Sequence, residues 1–264
     1  MRNGIICLLF PILAACSSTT KEGAVDADRR QLLLLPAGTI EKMSAQAYAE
    51  TLEEARKKGA LDQDPATVKR LTAIAQRLIP QTGIFREDAK AWEWDVHLIS
   101  SPELNAYVMP GGKIIFYTGI IEKLKLTDAE IAAIMGHEIA HALREHGRER
   151  MSEALIQQIG LEVLVGTGKV SPKYAGALSL LSNLAINLPH SRGQESEADK
   201  IGLDLMARAG YNPESAVDLW QKMKAAGGGQ PPEFLSTHPA NDTRINQIKA
   251  LLPKVMPLYK QAAS

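Results

Sequence analysis

The sequence predicts an α+β fold, mostly helical, with a small β-sheet. Three observations carry this expectation. Apolar residues recur at helical spacing in several long stretches, as at Val68, Leu71, Ile74, Ala75 and Leu78. Strand-like patterns are confined to short segments, Trp94 to Leu98 and the two halves of Asn105 to Tyr117. Hydrophobic residues make up 45% of the 264 residues and charged residues 23%, which supports a packed core. With 30 basic and 30 acidic residues the formal net charge is zero, and this argues against nucleic acid as a partner, because phosphate binding needs clustered positive charge.

The first residues read as an export signal. Arg2 supplies positive charge, Ile5 to Leu13 is apolar, and Ala14 and Ala15 are small. The apolar run is shorter than the roughly 20 residues a spanning helix needs. Leu13-Ala14-Ala15-Cys16 resembles the lipobox of bacterial lipoproteins, which divides the chain into a signal peptide (1–15), a lipidated N-terminus and tether (16–40) and a folded domain (41–264). Cys7 and Cys16 are the only cysteines, so the folded domain has no thiolate to offer as nucleophile or metal ligand. Ser17, after the cysteine, fits outer-membrane sorting in a Gram-negative cell.

Along the chain, Ser17 to Gly23 suits a flexible spacer. Leu32 to Leu35 is apolar, and either docks onto the domain or covers a groove. Ala45 to Lys58 and Pro65 to Leu78 are predicted helices, the second with proline in its first turn. Asn105 to Tyr117 reads as two strands joined at Pro110-Gly111-Gly112. The apolar Ile114 to Tyr117 strand is the more buried, which leaves Asn105, Ala106, Tyr107 and Val108 as a sheet edge able to pair with an extended peptide. His97 is a structural or surface histidine. Thr127 caps a helix that runs through Leu143, with Asp128 and Glu130 in its first turn. Gly136 lowers the stability of that helix and points to close approach of another backbone. Arg144 to Arg150 is a charge run, and His146 within it is expected to be solvated. Leu155 to Val170 and Tyr174 to Leu188 are apolar helical stretches, either core or a face near a membrane. Ser191 caps a helix reaching about Ala209, Gly227 to Pro232 is a flexible connection, and a last helix carries Ile245, Ile248, Leu251 and Leu252.

His137-Glu138-Ile139-Ala140-His141 lies inside the Thr127 helix. Residues four apart share a helix face, so the two imidazoles can hold one metal ion, and Glu138 can reach the side where water would bind. Two histidines leave a catalytic zinc one protein ligand short, and the usual completion is a carboxylate. Glu195 is a candidate, with Asp199 one turn on to bond a ligand histidine's free ring N–H; Glu197 is the alternative ligand. A third histidine does not follow, since Leu143 and Gly147 stand where the longer His-x-x-Gly-x-x-His motif would continue.

His-Glu-Ile-Ala-His, Ser-Arg-x-x-Glu-x-Glu-Ala-Asp, Asn-Ala-x-x-x-Pro-Gly-Gly and Thr-His-Pro occur in this order between roughly residues 105 and 245. Together they resemble the M48 family of zinc metallopeptidases, in its lipoprotein-type envelope members. The resemblance implies a zincin-like domain with its sheet edge beside the active-site cleft. It implies one Zn2+ on His137, His141 and Glu195, with Glu138 as general base. It also implies that His238 lies near the zinc and that Arg244 occupies the matching arginine position of the last helix. His238 either stabilises the oxyanion or binds the open zinc position at rest. His190 stands where many relatives have tyrosine, as a neutral exchange or an extra polar group. The implied role is an endopeptidase that removes misfolded envelope polypeptides, anchored by lipid at Cys16 in the outer membrane and facing the periplasm. The alternative is a non-catalytic, chaperone-like assembly factor for outer-membrane proteins.

Overall fold

A computed structural model describes residues 16–164, 190–226 and 233–262. Short strands β1 (Cys16–Ser17) and β2 (Gln31–Leu32) pair antiparallel ahead of helices α1 (Ala37–Lys57) and α2 (Pro65–Leu78). Strands β3 (Asp95–Ile99), β4 (Ala106–Met109) and β5 (Lys113–Tyr117) follow, then α3 (Thr118–Lys123) and α4 (Asp128–Leu143). The chain continues through α5 (His146–Leu164), α6 (Arg192–Arg208), α7 (Ser215–Ala226), α8 (Glu233–Thr237) and α9 (Asp242–Ala262). The α+β expectation holds. Among the described residues, no helix is long and apolar enough to cross a membrane.

Local chemistry fixes several boundaries. Asp64 accepts hydrogen bonds from the backbone N–H groups of Ala66 and Thr67, and Pro65 occupies the first turn, so α2 begins where the sequence indicates. Thr127 and Glu130 form a reciprocal capping box at α4, and Ser191 and Gln194 form one at α6. Helix α1 starts at Ala37, eight residues earlier than Ala45, so it is a full five-turn helix. The apolar stretch Tyr174 to Leu188 and the Gly227 to Pro232 connection lie outside the described residues.

The sheet order is β3-β5-β4, with β3 parallel and β4 antiparallel to the central strand. Ile114, Ile115 and Phe116 are fully buried in β5, which leaves β4 at an edge, as the apolar pattern indicates. One sheet face joins the main core through Leu98, Val108, Ile114 and Phe116, packed with α2 and α4. The other face, with Ile99, Met109 and Ile115, is covered by Tyr48 and Ala55 of α1. The result is a layered stack of helix, sheet and helix, with α4 at its centre.

The segment expected to be a tether is part of the fold. Val25 and Ala27 are buried in the main core, and Thr20 and Gln31 are buried polar groups. Lys21 N–H bonds Phe85 O, the Gln31 amide donates to Arg144 O, and Leu34 N–H bonds Ser152 Oγ. Leu35 packs with Ile40, Met43 and Met151, so the Leu32 to Leu35 run docks. The composition of Ser17 to Gly23 suggests flexibility, but its hydroxyls and backbone find buried partners. Gly23 has φ +62°, and a Cβ there would collide with the Phe85 ring. Gly23→Ala should therefore destabilise the protein by at least about 1 kcal/mol in urea unfolding, whereas a free tether would give no change.

Candidate metal centre and its cleft

The centre is built where α4 and α6 cross. A Cβ at Gly202 of α6 would lie 2.8 Å from the His137 nitrogen, and a Cβ at Gly136 would lie 3.0 Å from Gly202 O. The close backbone approach inferred from Gly136 is thus made by a second glycine. It carries His137 and His141 on α4 up to Glu195 and Asp199 on α6.

His137 Nε2 and His141 Nε2 face each other at 3.0 Å. Glu195 Oε2 lies 3.6 Å from His137 Nε2, and Glu195 Oε1 lies 3.3 Å from His141 Nε2. His238, just past α8, brings Nδ1 to 2.9 Å from Glu195 Oε1 and 3.3 Å from His137 Nε2. All four side chains are buried, and each offers one ligand atom within 4.8 Å of the others. Three imidazole nitrogens and a carboxylate converging on one point suit a cation that takes nitrogen and oxygen ligands, and zinc is such a cation. Glu138 stands beside the cluster. Its Oε1 is buried without a hydrogen-bond partner among the described residues and lies 3.5 Å from His238 Nε2.

The electrostatics are those of a dry, charged pocket. Burial pushes the Glu138 carboxyl up, against the opposing charges of His238 and His137. Burial also opposes ionisation of Glu195, but His238, Arg244 and His137 hold its carboxyl well below the usual range. Burial pushes His141 well down, which keeps its imidazole neutral. Burial lowers His238 too, yet Glu195 and Glu138 more than compensate and raise it.

Asp199 and Arg244 act behind the cluster. Asp199 Oδ1 is 3.0 Å from His137 Nδ1. Arg244 donates to both Asp199 oxygens at 2.8 and 2.7 Å, donates to Glu195 Oε2, and lies over the Trp220 ring at 3.4 Å. Trp220 carries no motif; its stacking on Arg244 and its edge contact with the His137 ring, centroids 5.9 Å apart, reveal it.

One expectation needs correction, and the alternative ligand lies elsewhere. Glu197, the alternative ligand, is absent from the four-residue cluster; one oxygen lies 3.0 Å from His146 Nε2, and the other accepts from Arg29 at 2.8 Å. His146 is fully buried rather than solvated, as is Arg144, and Glu145, Glu149 and Arg150 of the charge run are buried too. A count along one continuous helix places His146 away from His141. The helix in fact ends at Leu143 with Arg144 as its cap, Glu145 takes φ +49°, and α5 starts in a new direction at His146. His146 Nδ1 then meets His141 Nδ1 at 2.8 Å. His190 lies over His141 with ring centroids 3.9 Å apart and contacts Arg150, so it is a polar group at the site. His97, on the far strand β3, is hydrogen-bonded to Asp62 in the connection between α1 and α2, a structural role.

A cleft opens over the centre. Glu138, His141, His190 and His238 form its floor, Asn105 to Met109 one wall, and Ile40, Met43 and Ala47 of α1 the other. Among the described residues β4 pairs with β5 alone, and its residues line this cleft.

A family model described as peptidase family M48 matches residues 65–252. The chain is 35% identical over 216 residues to the mitochondrial metalloendopeptidase OMA1 of Schizosaccharomyces pombe, covering 81% of this chain and 61% of that protein. It is 31% identical over 240 residues to the mitochondrial metalloendopeptidase OMA1 of Bos taurus, covering 86% and 45%. It is 23% identical over 222 residues to the beta-barrel assembly-enhancing protease of Escherichia coli K12, covering 80% and 44%. The chain thus spans about half the length of the curated relatives it matches.

Gly202→Ala tests the crossing. It should lower stability by about 2 kcal/mol and weaken zinc binding, read by unfolding and chelator competition, because the new methyl meets backbone.

Proposed function

Because the chain belongs to peptidase family M48, we propose that it is a zinc-dependent endopeptidase acting on extended polypeptides in a cell envelope. The observation that carries this reading is the buried cluster of His137, His141, Glu195 and His238, with the Glu138 carboxylate, whose Oε1 has no hydrogen bond among the described residues, beside it on the floor of a cleft. His137, His141 and Glu195 would hold the metal. Zinc, when bound, supplies a Lewis acid that acidifies water and polarises a peptide carbonyl.

The chain's own residues do the rest. The outer edge of β4, from Asn105 to Val108, receives the substrate as an added strand through main-chain bonds. Recognition by backbone rather than side chains gives broad specificity and suits unfolded substrates. Glu138 accepts a proton from the attacking water and returns it to the leaving amine. His238 sits beside Glu195 and Glu138, where it could join the ligand set at rest and would donate to an oxyanion developing on the substrate carbonyl. Asp199 accepts from His137 Nδ1–H and fixes that ring, while Arg244 holds Asp199 and Glu195.

The envelope setting rests on Leu13-Ala14-Ala15-Cys16 and on the likeness to the beta-barrel assembly-enhancing protease of Escherichia coli. Cys16 belongs to β1 and pairs with Leu32. Lipid at Cys16 would therefore hold the domain close to an outer membrane, without an intervening spacer, in quality control of misfolded envelope proteins.

Glu138→Gln should retain zinc and reduce casein digestion by at least about 100-fold. Chelator should abolish digestion by the parent, and added zinc should restore it. Absence of chelator-sensitive cleavage, together with suppression of substrate aggregation, would instead support the assembly-factor role. Labelled fatty acid should enter the full-length chain when expressed in a Gram-negative cell and should not enter Cys16→Ser.

A further inference from the structure

His137 is backed by Asp199, as a metal-ligating histidine ordinarily is by a carboxylate. Among the described residues, His141 has no carboxylate at its outer nitrogen. Its Nδ1 meets another imidazole, His146 Nδ1, at 2.8 Å, and His146 Nε2 lies 3.0 Å from Glu197 Oε2. Glu197 is itself fixed. Arg29 donates to its two oxygens at 2.8 and 3.1 Å, and Arg144 donates to Oε1 at 3.2 Å. His146 and Arg144 are fully buried, and Glu197 nearly so.

The network dictates where its protons lie. An ionised carboxylate only accepts, so His146 donates from Nε2–H to Glu197. A neutral His146 then has a bare Nδ1, which accepts from His141 Nδ1–H. That bond leaves the lone pair of His141 on Nε2, the nitrogen facing His137 and Glu195. We infer that His146 is a positioning residue for the metal centre, a relay through which Glu197 fixes the tautomer and ring orientation of His141. This rests on His141 being a zinc ligand. The relay ends on Arg29, in the segment before α1, so the N-terminal residues form part of the support of the metal site.

A different use of the same atoms is a second metal site, because His141, His146 and His190 also bring three ring nitrogens within 4.8 Å of one another. The contact of Arg150 with His190 places a guanidinium beside that trio, and Glu197 already engages His146. These neighbours favour a hydrogen-bonded role.

The test reads ring protonation and zinc affinity in the full chain. Nitrogen NMR of the zinc-loaded parent should show His146 as the Nε2–H tautomer with a bare Nδ1. A proton on His146 Nδ1, or a second zinc equivalent bound there, overturns the proposal. By chelator competition, His146→Leu should weaken zinc binding about 10- to 100-fold. His146→Gln, whose amide can accept from His141 and donate to Glu197, should recover most of that loss. Leu and Gln variants that both bind zinc like the parent overturn the proposal, and if the Leu variant does not fold, the tautomer and the Gln variant decide it. His141→Ala separates the two levels. If it binds zinc as the parent does, the ligand assignment fails. If it loses zinc while His146→Leu keeps it, only the relay fails.

Discussion

The backbone contact between Gly136 and Gly202 is the constraint on which the metal centre depends. Each glycine costs its helix about 1 kcal/mol relative to alanine. In return α4 and α6 approach until an added methyl on Gly202 would lie 2.8 Å from the His137 nitrogen. At that separation two imidazoles from one helix and a carboxylate from the other meet within 4.8 Å. A wider crossing would keep every motif residue in place along the chain and still leave His137 and His141 out of reach of Glu195. The polar cluster is tolerable only because the helices beneath it are apolar. Ile134, Ile139, Leu143, Ile201 and Leu205 are buried around it and keep the crossing rigid.

Each layer outward constrains the one inside it. Asp199 and Glu197 sit two residues apart on α6 and serve different histidines of α4, one directly and one through His146. Arg244 arrives from α9 and Arg29 from the N-terminal segment, so both ends of the described chain hold the centre. Buried carboxylates at this density repel one another, and the guanidiniums make the arrangement tolerable. Hydrogen bonds from His146 and Arg29 overcome burial and bring the Glu197 carboxyl down to about 2. Burial brings Arg150 down to about 10, while it still faces Glu195 and Glu138.

Much of this was legible in the sequence, for identifiable reasons. Spacing of four on one helix placed His137 with His141, and a cap placed Thr127 and Ser191. A buried apolar strand next to a turn placed β4 at the edge. Each is a local rule applied within one element. The rules fail where chain direction changes. His146 lies five residues from His141 in sequence, but the left-handed Glu145 between them turns α5 back, and helical phase no longer applies. The segment after Cys16 is small and polar, so composition reads it as a spacer. Its burial comes from Val25 and Ala27 joining the main core and from Gln31 donating to Arg144 O, contacts that no local pattern shows. Trp220 stayed hidden because nothing local distinguishes a tryptophan under an arginine from one in the core.

The central claim is that one metal ion is held by His137, His141 and Glu195 at the α4–α6 crossing. An anomalous difference map at the zinc edge, from crystals of the zinc-loaded protein, measures this directly. A single peak between the two imidazole Nε2 atoms and the Glu195 carboxylate is the expected result. A peak held by Glu197, a peak at His146 and His190, or none at the crossing would contradict it.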